Sequence, residues 1–113
     1  ALRAEGKILE ADVSNYTATQ VSALQAHLDF PLVSRQPEFS VLSIDPIRDG
    51  TLDQCMEKTM TPLAWSPMAG GTLGMSVEAA ARLDDHGRTA RVLRTLDEIA
   101  QTENVARSSI ALA

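Results

Sequence analysis

TPLAWSPMAGG, running from Thr61 to Gly71, is the stretch that decides how this chain is read. A short apolar run, Pro62 to Trp65, passes into a Ser-Pro pair and then two glycines, so a strand gives way to a loop whose backbone can turn sharply and come close to a ligand. Two similar runs precede it, Ile8 to Val13 and Leu32 to Gln36. The three start at positions 8, 32 and 62, intervals of 24 and 30 residues, which hold one strand, one helix and two loops. A helical pattern lies between each pair of runs. That alternation predicts an α/β fold of parallel βαβ units with right-handed crossovers. The intervals match the unit length of a (β/α)8 barrel, in which roughly 250 residues make eight units.

The helices are marked by their ends. Thr17 to Gln20 has the pattern of a capping box, and Tyr16 and Val21 stand where a hydrophobic staple would close it. Val21, Leu24 and Leu28 then share one face. A second, short helix is expected to start at Thr51 to Gln54 with the same capping pattern, and to stop before Pro62. The clearest periodicity spans Thr89 to Thr102, with Val92, Leu93, Leu96, Ile99 and Ala100 on one face and Asn104 as a left-handed terminator. Residues 66–87 show little period before Val77 to Leu83, and read as a long loop of the kind that closes over a ligand.

Composition narrows the class. The chain has 113 residues, 44% hydrophobic and 22% charged, which suits one soluble globular domain. Ten basic against 15 acidic residues give a net charge of -5, which disfavours nucleic acid and anionic membranes as partners. No apolar run approaches the ~18 residues of a membrane span, and a cytoplasmic protein is expected. One cysteine, Cys55, forms no internal disulfide and has no neighbours at metal-ligand spacing, so no metal site is expected. Nothing cationic in the sequence is placed to activate it, and it reads as a small buried hydrophobe.

In β/α barrels the residues just after each strand carry function. Here these are Ser14 and Asn15, Gln36 and Glu38, then Trp65 and Ser66. Ser, Asn and Gln offer the mixed donors and acceptors that an amide ligand needs, and an indole can stack on a flat ring. Taken alone, Ser14 and Asn15 are accounted for as turn residues, and the combination is what points to a ligand. Backbone NH groups from Ser66 to Gly71 could wrap a pyrophosphate, with Gly70 and Gly71 permitting close approach, although taken alone the segment reads as a flexible surface loop. Met68 and Met75 suit either ligand contact or loop packing.

These segments together resemble the aldo-keto reductases. DVSNY at Asp12 to Tyr16, QPEFS at Gln36 to Ser40 and WSPMAG at Trp65 to Gly70 are similar to that family's segments after the fifth strand, on the sixth and after the seventh. EGKI at Glu5 to Ile8, DGTLDQ at Asp49 to Gln54 and SIALA at Ser109 to Ala113 extend the resemblance over nearly the whole chain. It implies part of a TIM (β/α)8 barrel, about strands five to seven with their helices, as one partial domain over residues 1–113.

By this resemblance Ser14, Asn15 and Gln36 would bind the nicotinamide carboxamide, Trp65 would stack on the ring, and Ser66, Met68 and Gly70 would line the pyrophosphate. The expected cofactor is NADP, with NAD left open, and the substrate is a small aldehyde or ketone. The family's Asp, Tyr, Lys and His tetrad comes from strands before the fifth, so no residue here is assigned to catalysis. Tyr16, the single tyrosine, occupies the place of a Phe. His27 and His86 have no evident partner, and neither Lys7 nor Lys58 follows a strand. Two positions depart from the pattern. Asp12 replaces a usual Gly, and Pro37 removes a ladder NH, which implies a bulge or an early strand end.

The absence of an initiator Met and the uncapped apolar end at Ala111 to Ala113 lead to the expectation of a piece of a longer protein, inactive by itself. A non-catalytic cofactor-binding or regulatory module that has lost the tetrad is the competing reading, and a remnant without activity is a third. Strands Ile8 to Val13 and Pro62 to Trp65 would expose unpaired edges, so self-association is expected.

Overall fold

The computed structural model describes residues 2–113. They form two compact units, one made of residues up to Glu38 together with Asp45–Trp65, the other of Phe39–Ile44 and Ser66–Ala113.

The first unit carries a three-stranded parallel sheet in the order β1 (Asp12–Ser14), β2 (Ser34–Gln36), β3 (Thr61–Pro62). Its register pairs Asp12 with Ser34, Val13 with Arg35 and Ser14 with Gln36, then Ser34 with Thr61 and Arg35 with Pro62. The α/β class with parallel strands is as expected, and the strands are shorter than the apolar runs. Pairing on β1 begins at Ala11, whose carbonyl accepts from Val33 N at 3.0 Å. Extending the ladder back in register would set Leu9 against Pro31, which has no NH to give, and Leu9 lies 82% exposed. Pro37 ends β2 in the same way. Beyond it the backbone returns to a single bridge between Glu38 and Trp65, with Trp65 N donating to Pro37 O at 3.0 Å. β3 therefore starts one residue before the expected run and its regular ladder stops at Pro62.

Helix α1 (Ala18–Gln25) starts as its sequence requires: Gln20 N donates to Thr17 Oγ1 at 3.2 Å, and Thr17 N to Gln20 Oε1 at 2.8 Å. Its last residue clamps the approach to β2, Gln25 Nε2 donating to Phe30 O and Gln25 Oε1 accepting from Leu32 N, both at 2.8 Å. Val21 is fully buried in a cluster with Val13, Leu32, Cys55 and Met60, and Leu24 and Leu28 pack at its edge. Helix α2 (Thr51–Glu57) departs from expectation. Its cap is Gly50 at φ 82°, and the side chain that receives an end NH is Asp49, whose Oδ1 accepts from Thr51 N at 2.9 Å. Thr51 and Gln54 are buried instead of forming a capping box.

The second unit is helical. Residues 66–87 are not the long open loop expected: they contain a 3-10 segment, Ala69–Gly74, and helix α3 (Val77–Ala80), capped by Ser76 Oγ accepting from Ala79 N at 3.1 Å. Leu73 anchors them, being fully buried with Ala80, Ala90, Leu93, Leu96 and Ala111. Helix α4 (Arg88–Glu103) ends at Asn104 in the left-handed conformation, as its sequence predicts. Its buried face includes Thr89 and Ala90 but not Ile99, which is 41% exposed. Helix α5 (Arg107–Leu112) is pinned to α4 by a two-pronged ion pair, Arg107 Nε and Nη2 each 2.6 Å from an Asp97 oxygen. Arg107 Nη1 also donates to Met75 O at 2.6 Å. Among the described residues no helix is long and apolar enough to cross a membrane.

Candidate cofactor site

Ser14, Asn15, Gln36 and Trp65 fall in the first unit, where the strands end. Alternation divides the sheet between two faces. Val13 and Arg35 lie on the face that meets α1 and α2, and Asp12, Ser14 and Gln36 lie on the other. On that second face Ser14 Oγ donates to Gln36 O at 3.2 Å, and Asn15 N donates to the same carbonyl at 3.1 Å. Asn15 is left-handed at φ 57°, a conformation Asn tolerates better than most residues. This turns its side chain out of the strand direction, where Asn15 Oδ1 accepts from Trp65 Nε1 at 2.9 Å. Gln36 Nε2 in turn donates to Asp12 Oδ2. The four residues are thus tied in one chain of hydrogen bonds, Ser14 to Gln36 to Asn15 to Trp65, and Asp12, a departure from the family pattern, is part of the arrangement.

The remaining polar atoms decide what this surface can bind. Gln36 Oε1 and Asn15 Nδ2 have no partner among the described residues, which leaves an acceptor on Gln36 and an NH2 donor on Asn15, with the lone pairs of Ser14 Oγ beside them. Trp65 is 38% exposed, so a flat ring has an indole face to stack on. A carboxamide on an aromatic ring fits this donor set.

Sequence reasoning missed Arg35. It is 3% exposed on the helix-facing side and donates to Gln54 Oε1 at 3.1 Å, to Thr51 O at 3.5 Å and to Tyr16 O. Gln54 passes the network on, its Nε2 donating to Ala18 O at 2.7 Å and to Ser22 Oγ at 3.0 Å. Among the described residues no carboxylate forms an ion pair with this guanidinium and its hydrogen bonds all go to neutral acceptors, while Asp49 interacts with its charge at longer range. The turn that carries Asn15 is held from behind through Tyr16 O. An Arg flanked by Ser34 and Gln36 in a strand was the available signal, because a long cation in the middle of a sheet needs acceptors from the helices above it. A cleft of about 510 Å3 opens between α1 and α2, lined by Ser22, Asp53, Gln54 and Glu57 among others. Gln54 spends its amide internally there, and the two carboxylates are unsuited to a phosphorylated ligand.

Cys55 is 2% exposed, and burial pushes its thiol pKa up against a smaller opposing pull from Arg35. It is packing, as its sequence context predicts. His27 and His86 are both exposed, and among the described residues no group of three or more His, Cys, Asp or Glu could hold a metal ion.

Ser66, Met68 and Gly70 belong to the second unit. Ser66 at φ 50°, Ala69 at φ 50°, Gly70 at φ 61° and Gly71 at φ 92° form a run of left-handed backbone. Ala69 N donates to Ser66 O at 2.7 Å and Gly71 N to Met68 O at 3.0 Å. The NH groups of Ser66, Met68 and Gly70 have no acceptor among the described residues. Turns of this kind leave alternate NH groups available to an anion. The glycines serve backbone conformation, not space, since a Cβ at Gly70 or Gly71 would meet nothing within 4 Å.

Residues 1–113 match the Aldo/keto reductase family. The chain is 40% identical over 106 residues to a 6-dehydroglucose reductase of Novosphingobium aromaticivorans, covering 94% of this chain and 32% of that protein. It is 42% identical over 71 residues to YcsN, an uncharacterized oxidoreductase of Bacillus subtilis, covering 63% and 24%. Among solved structures, a thermostable aldo-keto reductase crystallised with the inhibitor epalrestat superposes with a TM-score of 0.77 at 25% identity, covering 98% of this chain and 35% of that one. The chain spans about a quarter to a third of the length of the proteins it matches.

Proposed function

We propose a function from one premise: this chain belongs to the aldo/keto reductase family. It forms part of one barrel domain in a cytoplasmic, NADP-dependent reductase that converts aldehydes or ketones to alcohols, and it supplies the surface that holds the cofactor. When bound, the reduced nicotinamide supplies a hydride to the substrate's carbonyl carbon.

The placement of this chain's residues supports the following roles. Ser14, Asn15 and Gln36 orient the carboxamide, and Trp65 stacks on the ring so that one face is presented to the carbonyl. In the second unit, the backbone NH groups of Ser66, Met68 and Gly70 meet the pyrophosphate. The proton that completes the alcohol comes from a group outside these 113 residues. One observation carries the reading: among the described residues Asn15 Nδ2 and Gln36 Oε1 have no partners, and Asn15 is bonded to the 38% exposed indole of Trp65.

The test is a titration of the chain with NADPH, following Trp65 fluorescence, with a Trp65→Phe variant plus free tryptophan correcting for absorbance by the ligand. Saturable quenching beyond that control is expected. Quenching that matches the control at every concentration would overturn cofactor binding by this chain. In the full-length protein, 6-dehydroglucose, which names the Novosphingobium relative, is a suitable first carbonyl substrate.

A further inference from the structure

We propose, resting on the cofactor reading above, that Asp12 is a positioning residue. It locks the Gln36 amide in one orientation and so makes this strand end a receptor for a primary carboxamide in preference to other ring substituents. Side-chain amides can ordinarily present either end to a ligand, because the two orientations occupy the same volume. Here each of the two amides has a neighbour that permits only one. Asp12 as a carboxylate can only accept, so Gln36 must turn Nε2 toward it and leave Oε1 outward. The indole of Trp65 can only donate, so Asn15 must turn Oδ1 toward it and leave Nδ2 outward.

The result is one fixed acceptor and one fixed donor on neighbouring strand ends, β2 and the turn after β1. A primary carboxamide carries the complementary pair, an NH2 donor and a carbonyl acceptor. A methyl ketone on the same ring lacks the donor and leaves Gln36 Oε1 unpaired. A carboxylate lacks it too, and also meets the negative charge of Asp12. The ion-assisted bond from Gln36 is stronger than a neutral one would be, so the lock holds against thermal exchange of the amide ends. Asp12 does this without touching the ligand, and its exposed side chain can be changed without disturbing the core.

The experiment compares two dinucleotides in the full-length protein: NADPH, and its 3-acetylpyridine analogue, in which a methyl ketone replaces the carboxamide. Dissociation constants are measured for the native protein, Asp12→Ala and Asp12→Glu, with circular dichroism confirming the fold of each. The native protein is expected to prefer the carboxamide by about tenfold or more, the scale of one hydrogen bond made or left unmade in a ligand site. In Asp12→Ala the ratio falls toward unity, mainly through loss of NADPH affinity. Asp12→Glu, which keeps an acceptor-only neighbour, restores at least part of it. A native ratio near unity, or an undiminished ratio in Asp12→Ala, overturns the proposal while leaving cofactor binding in place. If neither dinucleotide binds the native protein, the cofactor reading fails and the proposal with it. If Asp12→Ala does not fold, Asp12→Asn serves instead, since an amide there offers both a donor and an acceptor and no longer fixes the Gln36 orientation: a ratio that falls toward unity supports the lock, and an undiminished ratio overturns it.

Discussion

The indole Nε1 of Trp65 donates to Oδ1 of Asn15 at 2.9 Å, across 50 residues of sequence. This bond joins the turn after the first strand to the isolated bridge residue three positions past the third, and it settles which end of the Asn15 amide faces outward. It also separates two roles of Asn15 that one substitution can distinguish. Asn15→Asp keeps an acceptor for the indole and tolerates the left-handed backbone, but loses the outward donor. The emission maximum of Trp65 should stay unchanged while NADPH affinity falls about tenfold. A shifted maximum with unchanged affinity would mean that the donor is unused.

Arg35 should respond differently to single and paired substitution. It is buried with neutral acceptors, so Gln54→Leu leaves a guanidinium short of a partner and is expected to cost about 3 kcal/mol in urea unfolding. Arg35→Met should cost a similar amount by stranding Gln54 Oε1 together with the carbonyls of Tyr16 and Thr51. The double variant removes both polar groups and should lie closer to the native chain than either single one. Additive losses would show that the two residues act independently.

Helix α4 offers a contrast within one apolar stripe. Leu93 is fully buried, whereas Ile99 is 41% exposed. Leu93→Ala is expected to destabilise by about 2–5 kcal/mol, and Ile99→Ala by about 0.5 kcal/mol or less. Equal losses from thermal melts would place Ile99 in a packed environment this structure does not give it.

Acid should loosen the second unit. The paired hydrogen bonds from Arg107 hold the Asp97 carboxyl below the usual carboxylate range, and hydrogen bonds from Thr89 do the same for Asp85. A carboxyl depressed in the folded state contributes stability above its unfolded pKa of about 3.9 and loses it as pH falls through the folded value. Melting of the native chain should therefore hold steady from neutral pH down to about pH 5 and decline below about pH 4. Asp97→Asn should melt lower at neutral pH and show a shallower decline. An identical slope in the variant would remove Asp97 from the acid response.

The parts of this fold that could be read from sequence are those governed by neighbours along the chain. The capping box of Thr17 and Gln20 involves residues three apart, and it forms as its letters indicate. The left-handed stop at Asn104 and the strand end before Pro37 are equally local. What misled was also local. The pattern at Thr51 to Gln54 looks like a capping box, yet Gln54 is taken by Arg35, Ala18 and Ser22, all distant in sequence. The α4 stripe includes Ile99 by period, but periodicity does not say how wide a face its neighbours cover. Residues 66–87 seemed open because short helices of one turn leave little period, and the burial of Leu73 that organises them comes from α4 and α5.

For the candidate site, the residue types were legible and their orientation was not. The order of apolar runs and polar ends was enough to place Ser14, Asn15 and Gln36 at the ends of parallel strands, because strand direction and crossover handedness follow from local chirality, whereas Trp65 lies three residues past the third strand on an isolated bridge. Which atom each amide offers depends on Asp12 and Trp65, which lie 24 and 50 residues from their partners. The sequence by itself therefore determined the α/β alternation, the family and the chemical kinds gathered at one sheet edge. Only the tertiary structure decided the polarity of that edge, since a hydrogen bond selects between two orientations of equal shape only when folding has brought donor and acceptor together.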